Sequence, residues 1–267
     1  MQLLSKTIVD QIKLRQITRI QELDHRPKLC VLVANQDSVI ESYLRIKASY
    51  GREIGVEVLV DRIKYDQIEA KILEYNQSDY DGIVLQLPID FDGEEDRTDY
   101  LLNLVEPTKD IDGLNDQGLF VPPTVMAISR LLDFSEIILG NQIQNVTVVG
   151  QGRLVGAPLV RYLESQGVGV TTVDDRDKLG QIIRQSQVIV SAVGNPELIE
   201  SKWIQPGAIM IDAGTSDDQG AIYGDVDSEA LDRDDIYITP PKGGVGPLTV
   251  AMLFDNLIKA SEVGQSV

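Results

Sequence analysis

Histidine and cysteine each occur once in the 267 residues, as His25 and Cys30, and that scarcity removes whole classes of chemistry. A single cysteine excludes an internal disulfide framework. With one histidine beside it, neither a histidine-based catalytic triad nor a nitrogen/sulfur zinc site is expected, and no metal is expected. Cys30 lies in an apolar run over residues 29–33 and reads as a buried structural thiol, while His25 falls in a polar turn before Pro27. Positive charge is also short. Lysine and arginine number 24 against 42 aspartates and glutamates, a formal net charge of -18, so the basic footprint needed for nucleic acid or an anionic membrane is missing. No apolar run approaches the ~20 residues of a membrane span, and residues 1–14 hold no uninterrupted apolar leader. Internal repeats and low-complexity tracts are absent too. The expectation is a cytoplasmic protein that engages small molecules or other proteins.

What is present is the composition of a folded chain, 43% hydrophobic and 25% charged, at a length suited to two modest α/β domains. Apolar periodicity predicts a helix over 8–23, a strand over 29–33, a helix over 41–54, a strand over 57–61, a helix over 67–76 and a strand over 83–87. Strands alternating with helices point to a parallel sheet with right-handed crossovers. Residues 106–123 are loop-like and include Asp110-Ile111-Asp112-Gly113, a linker or an active-site loop. A helix over 124–134 then leads into a second alternating set with strands at 146–149, 169–173, 188–193, 209–211 and 237–239.

In the first set, Tyr43 and Lys47 stand at helical i,i+4 spacing, and Gln86 interrupts an apolar strand flanked by Asp81-Gly82 and Pro88. A polar side chain in a central strand costs about 1–3 kcal/mol unless it is partnered. Gln86 is therefore either a core amide bonded to nearby backbone or part of a site. In the second set, the strand over 146–149 runs into Gly150, Gly152 and Gly156, with Gln151, Arg153, Leu154 and Val155 between them, and then a helix. Strand, glycine turn and helix form the dinucleotide-binding context, although the G-x-G-x-x-x-G spacing departs from the standard fingerprint. The next strand ends at Asp174 and Asp175, roughly the ~20 residues onward at which a carboxylate takes a ribose 2′-hydroxyl. Carboxylates there repel a 2′-phosphate and favour NAD over NADP; the alternative is a solvated acidic turn beside Arg176. Gly194 closes the strand over 188–193 at the sheet end where cofactors lie. Residues 239–249 are dense in glycine and proline, a loop that brings bare backbone to a nicotinamide ring or joins two domains rigidly.

These segments together resemble the bifunctional methylenetetrahydrofolate dehydrogenase/methenyltetrahydrofolate cyclohydrolase family over nearly the whole chain. The motifs that carry the resemblance are collinear: Tyr43 with Lys47, Asp81-Gly82-Ile83-Val84-Leu85-Gln86-Leu87-Pro88, residues 107–113, Val155-Gly156-Ala157-Pro158, Gly224-Asp225-Val226-Asp227, and residues 243–247 with Thr249. The resemblance implies an α/β fold: an N-terminal three-layer domain (1–122 and 248–267) that binds folate, a Rossmann-type nucleotide domain (123–247), and a cleft between them. It implies a homodimer acting in one-carbon metabolism and purine biosynthesis. Lys47 is then the principal catalytic residue, with Tyr43 assisting, Gln86 biasing Lys47 by a hydrogen bond, and Asp112 binding the pterin edge. Gly244 and Pro247 join Tyr43 and Asp112 on the substrate side; Gly150, Gln151, Gly152, Arg153, Val155, Gly156, Asp174, Asp175 and Gly194 bind NAD or NADP. In the implied chemistry, hydride leaves the methylene carbon for the nicotinamide, and water adds to the resulting methenyl cation to open the ring to 10-formyltetrahydrofolate.

Four departures stand against that pattern. Ile40 replaces a serine three residues before the tyrosine, at the end of Asn35-Gln36-Asp37-Ser38-Val39-Ile40. Pro123-Thr124-Val125-Met126-Ala127 replaces Cys-Thr-Pro-x-Gly, Gly150-Gln151-Gly152 replaces Gly-Arg-Ser, and Val173-Asp174-Asp175 replaces Cys-His-Ser. The last two turn a cationic or polar phosphate pocket acidic, in keeping with NAD. Rival readings are a Rossmann dehydrogenase of shikimate or amino-acid type, a non-catalytic family member, and a dehydrogenase that has lost the cyclohydrolase step.

Overall fold

The computed structural model describes residues 1–35, 37–214, 216–218 and 221–264, and it divides into two compact units. One comprises Asp10–Pro123 and Val250–Val267; the other comprises Met1–Val9 and Thr124–Thr249.

The chain opens with α1 (Lys6–Gln21), followed by β1 (Lys28–Val33), α2 (Ser38–Ile54), β2 (Glu57–Arg62), α3 (Ile68–Asn76), β3 (Gly82–Gln86) and α4 (Thr98–Leu104). The three strands form a parallel sheet in the order β2-β1-β3. β1 sits in the middle because Leu29, Cys30, Val31, Leu32 and Val33 are all buried, the near-continuous apolar run of a strand covered on both faces. Burial pushes the Cys30 thiol up to about 12, as befits an inert core cysteine. Ile68, Ile72, Leu85, Leu101 and Leu102 pack with Cys30 and Leu32 in one core cluster. β3 ends at Gln86, not at Leu87 as the apolar run predicts, because Pro88 has no N–H to extend a ladder. α4 was not legible as a helix; two buried leucines, Leu101 and Leu102, anchor its single apolar face.

The second unit begins with α5 (Pro123–Leu139), which runs past the expected end at Phe134, and continues through β4 (Asn145–Val149), α6 (Gly156–Ser165), β5 (Gly169–Val173), α7 (Arg176–Ile183), β6 (Val188–Ser191) and β7 (Ile209–Asp212). A short antiparallel hairpin, β8 (Ser216–Asp218) with β9 (Ala221–Tyr223), precedes β10 (Tyr237–Ile238) and α8 (Val245–Gly264). Five of these strands form a parallel sheet in the order β10-β7-β6-β4-β5. From β4 the chain crosses to β5 on one side and then to β6 on the other, so the topological switch point lies between β4 and β6.

Met1–Val9 group with this unit. The cause is backbone pairing: the Met1 ammonium donates to Arg233 O (2.9 Å) and Ile236 O (2.6 Å), and Leu3 N–H donates to Ile238 O (2.7 Å). Those bonds satisfy the open edge at β10. α8 begins at Val245, inside the glycine- and proline-rich run 239–249. Pro247 is tolerated in its first turn, where a missing N–H removes no helical bond.

Candidate functional site

On α2, Ile40, Leu44, Gly51 and Ile54 form a buried stripe at spacings of four and three, and Lys47 occupies the remaining place in it. The helix packs so closely that a Cβ at Gly51 would lie 2.5 Å from Val58 Cγ2 and 3.0 Å from Phe254 Cζ. Lys47 is therefore carried toward the sheet, at the C-terminal end of β3. There its Nζ donates to Gln86 Oε1 at 2.9 Å, and the other end of that amide donates to Leu87 O at 2.8 Å. Burial lowers the Lys47 pKa, opposed by the Asp112 carboxylate, and burial raises the Asp112 pKa, opposed by Lys47. Desolvation outweighs attraction for both, which favours their neutral forms. Tyr43 stands one helical turn before Lys47, half-buried. Of the departures noted on this side, Ile40 is 4% exposed and part of the core stripe; Gln36 lies outside the described residues.

Asp112 is held by a loop whose own bonds are made elsewhere. Asn115 N–H donates to Asp110 Oδ2 (2.7 Å), Asn115 Nδ2 donates to Val105 O (2.9 Å), and Gly113 takes φ +65° with Phe120 O only 2.4 Å from where a Cβ would stand. Burial pushes the Asp110 carboxyl up to about 6. From α8, the buried Asn256 Nδ2 donates to Ile111 O (3.0 Å) and Val121 O (2.9 Å). No protein hydrogen bond reaches the Asp112 carboxylate among the described residues, so its acceptor sites are open to a ligand. The sequence marks Asp110 only as part of its loop and singles out neither Asn115 nor Asn256; with Asp255, Lys259 and Glu262 in the same helix, an amide at 256 is no signal.

In the other unit the glycines divide by role. A Cβ at Gly156 would stand 2.0 Å from Gly150 O, and one at Gly150, which has φ +88°, would stand 2.9 Å from Val193 Cγ2; both glycines are required by protein packing. Gly152 differs. A Cβ there meets nothing within 4 Å, so its open side faces space that a pyrophosphate would need. The N-terminus of α6, however, is less available to an anion than the glycine pattern predicts, because Ala157 N–H is bonded to Gly152 O (3.1 Å), Leu159 N–H to Val155 O (2.9 Å), and Pro158 has none. Gln151 turns its amide onto Gly150 O (3.0 Å), and Arg153 is exposed. Val149, Gly150, Asp174, Arg176 and Val193 line a pocket of about 70 Å³ at the C-terminal end of the sheet. Asp174 and Asp175 are both exposed and both line this pocket, but Asp175 also caps α7 by accepting from Asp177 N–H (3.0 Å) and pairs with Lys178 (3.3 Å). Gly194, with φ +74°, follows β6.

The glycine loop before α8 is tied down within its unit. Gly243 O accepts from Ser5 N–H (2.9 Å) and Ser5 Oγ (2.8 Å), and a Cβ at Gly244 would meet Pro240 O at 2.4 Å. Gly244 is buried by its own turn, whereas Pro247 is exposed. Lys47, Gln86, Tyr43 and Asp112 thus belong to one unit, and Gly244, Pro247 and the nucleotide-side residues to the other.

Two family models match in sequence order. Residues 2–112 match the tetrahydrofolate dehydrogenase/cyclohydrolase catalytic domain, and residues 122–265 match the NAD(P)-binding domain of the same family. The chain belongs to the tetrahydrofolate dehydrogenase/cyclohydrolase family. Within this family it is 31% identical over 268 residues to the bifunctional protein FolD of Staphylococcus aureus strain JH9, covering 94% of this chain and 92% of that protein. Among solved structures it is similar to the Trypanosoma brucei dehydrogenase-cyclohydrolase FolD complexed with NADP cofactor and inhibitor, with a TM-score of 0.89, 26% identity and coverage of 100% of this chain and 99% of that one. The bifunctional FolD from Campylobacter jejuni gives a TM-score of 0.86 at 28% identity over 97% of this chain and 98% of that one. Both tetrahydrofolate dehydrogenase/cyclohydrolase domains are therefore present, and the second is a domain for NAD(P).

Proposed function

We propose that this protein oxidises 5,10-methylenetetrahydrofolate to the 5,10-methenyl form with a nicotinamide cofactor and hydrolyses that product to 10-formyltetrahydrofolate. The observation that carries the reading is Lys47 Nζ on Gln86 Oε1 at 2.9 Å, with the open carboxylate of Asp112 in electrostatic reach. Partly buried and short of its ordinary pKa, Lys47 supplies an amine that takes a proton from attacking water and returns it to the opening ring. Gln86 fixes the direction of that amine. Asp112 accepts paired N–H donors from the pterin edge, and Tyr43 assists along the same helix face. When bound, the cofactor supplies the hydride acceptor.

On the nucleotide side the open face of Gly152 suits a pyrophosphate, and the exposed Asp174 suits a ribose 2′-hydroxyl while repelling a 2′-phosphate. NAD is accordingly the favoured cofactor over NADP. The remaining parts of the reading are a homodimer and a cytoplasmic role supplying formyl groups for purine biosynthesis. A paired spectrophotometric assay tests the proposal: purified protein given methylenetetrahydrofolate with NAD or NADP, and separately given the methenyl compound. Production of reduced cofactor together with loss of methenyl absorbance supports both steps. Cofactor reduction alone reduces the reading to a dehydrogenase, and neither activity overturns it. Lys47→Ala is expected to abolish the hydrolytic step.

A further inference from the structure

β6 delivers the chain to the switch-point crevice, where the 192–195 segment forms the wall facing Gly150. At its start, Ala213 N–H donates to Ser191 O (2.8 Å) and Ala192 N–H to Val149 O (2.9 Å). One carboxylate from 30 or more residues away adds three bonds: Asp225 Oδ2 accepts from Ser191 Oγ (2.5 Å) and Val193 N–H (2.8 Å), and Asp225 Oδ1 accepts from Asn195 N–H (2.8 Å). The Asp225 side chain is fully buried, yet the Val193 side chain it supports is 41% exposed and lines the pocket beside Asp174. Val193 thus presents an apolar side chain at the edge of the pocket, next to Gly150.

The arrangement has a second tier. Asp212 Oδ2 accepts from Val226 N–H (3.0 Å) and Asp212 Oδ1 from Gly214 N–H (3.1 Å), fixing the backbone that carries Asp225. Each carboxylate rests against a glycine of the other's segment: a Cβ at Gly214 would lie 2.1 Å from the Asp225 carboxylate, and one at Gly224 would lie 2.1 Å from Asp212 Oδ2. Glu197 N–H to Gly224 O (3.2 Å) and Ile199 N–H to Asp225 O (2.9 Å) continue the template to the end of the loop. Glu197 itself is held at φ +55°, a conformation that a loosely tethered loop would not retain.

We infer that Asp225 is a positioning residue of the dehydrogenase step, setting the 193–195 wall against which the nicotinamide cofactor binds, with Asp212 setting Asp225 in turn. The inference rests on the proposed dehydrogenase reading. Asp225 touches neither substrate nor reacting atoms; it acts through Val193 and Asn195. The hydrolytic step uses no nicotinamide and its proton transfer uses Lys47 and Gln86 of the other unit, so it reports separately on whether the protein is intact.

The test compares wild type, Asp225→Asn and Ser191→Ala for cofactor Kd by calorimetry with NAD and with NADP, KM for cofactor, cyclohydrolase rate and thermal midpoint. Asn places an N–H₂ donor where Val193 N–H and Ser191 Oγ, or Asn195 N–H, need an acceptor, so cofactor Kd and KM are expected to rise about tenfold or more, with cyclohydrolase turnover within about twofold. Ser191→Ala removes a single donor and is expected to raise them about threefold. Unchanged cofactor affinity in the variants overturns the inference, as does an equal loss of both activities together with a fallen midpoint. Should Asp225→Asn fail to fold, Ser191→Ala decides alone. A wild type that binds neither cofactor strikes at the dehydrogenase reading instead.

Discussion

Lys47 and Gln86 are joined in one orientation only. The Gln86 amide gives its nitrogen to Leu87 O at 2.8 Å, which leaves Oε1 as the atom facing Lys47 Nζ at 2.9 Å. A glutamine with both ends spoken for is an oriented acceptor rather than a space filler. Lys47 in turn has its charged form disfavoured by burial, and Asp112 only partly restores it.

The first prediction concerns that pair. A lysine pKa below the ordinary value makes the neutral amine available at lower pH, so the cyclohydrolase rate is expected to rise through an acid limb that lies below the usual lysine range. Gln86→Glu adds a negative charge beside Nζ and should move that limb to higher pH. Gln86→Ala should cut turnover roughly 10- to 100-fold without moving substrate affinity as much, because orientation rather than binding is lost. Rate profiles of the three proteins check this; an unmoved limb in Gln86→Glu would remove Lys47 from the proton transfer.

A second prediction separates the two acids after β5. Both line the pocket, but the Asp175 carboxylate is also engaged as the cap of α7 and Asp174 caps no helix. Asp174→Ser is therefore expected to shift the NAD to NADP preference toward NADP by about tenfold or more, through lost 2′-hydroxyl contact and relieved repulsion. Asp175→Ser is expected to cost roughly 0.5–2 kcal/mol of stability with little change in preference. Ratios of kcat/KM for both cofactors, with thermal unfolding, distinguish the two outcomes.

A third prediction follows from the 2.0 Å separation between Gly150 O and the position of a Cβ at Gly156. Gly156→Ala forces α6 away from the β4 turn, and destabilisation of about 1–3 kcal/mol is expected together with weakened cofactor binding. Gly152→Ala meets no protein atom, so its stability should stay within about 0.5 kcal/mol of wild type while cofactor affinity falls. Equal stability loss in both variants would contradict this division of roles.

The single histidine gives a pH prediction for the 10–123 unit. His25 lies between Asp24 Oδ1 and Asp81 Oδ1, each 2.8 Å away, and hydrogen bonds to Asp24 and then Asp81 raise its pKa. Because the folded value is raised, the added stability is fully present below the unfolded histidine pKa and is lost as pH rises through the folded one. The effect is small at this solvent-screened position. Denaturation midpoints measured from pH ~5.5 to ~8.5 should decline in wild type more than in His25→Asn.

Much of this architecture was legible because it is local. The 29–33 run reads as a buried strand, Tyr43 and Lys47 stand at helical i,i+4 spacing, and Gly150 and Gly156 mark a tight strand-to-helix turn. The illegible parts depend on atoms far apart in sequence. Nothing near Asn256 announces that its amide caps the carbonyls of Ile111 and Val121, and nothing near Asp225 announces three donors from residues 191–195. Asp174 and Asp175 look equivalent as letters, and only the start of α7 tells them apart.

The acid pair of Asp212 and Asp225 yields the last prediction. Burial, reinforced by the nearby Asp225 charge, pushes the Asp212 carboxyl up to about 7. In the unfolded chain the same group titrates near ~4, so between those values the folded state binds the extra proton. Stability supplied by this group is therefore greatest at the acid end of that window and declines as pH rises toward about 7, the reverse of an ion-paired aspartate. Asp212→Asn retains a neutral side chain whose Oδ1 still serves as an acceptor, and it should flatten the decline across that window. Its amide nitrogen must face either Gly214 N–H or Val226 N–H, so a uniform loss of roughly 1–3 kcal/mol is expected alongside the flattening. Unfolding by denaturant at pH ~5 and ~8 in wild type and variant separates the two effects, since the lost hydrogen bond is independent of pH and the titration is not. A variant as pH-dependent as wild type would assign the titration to other carboxylates.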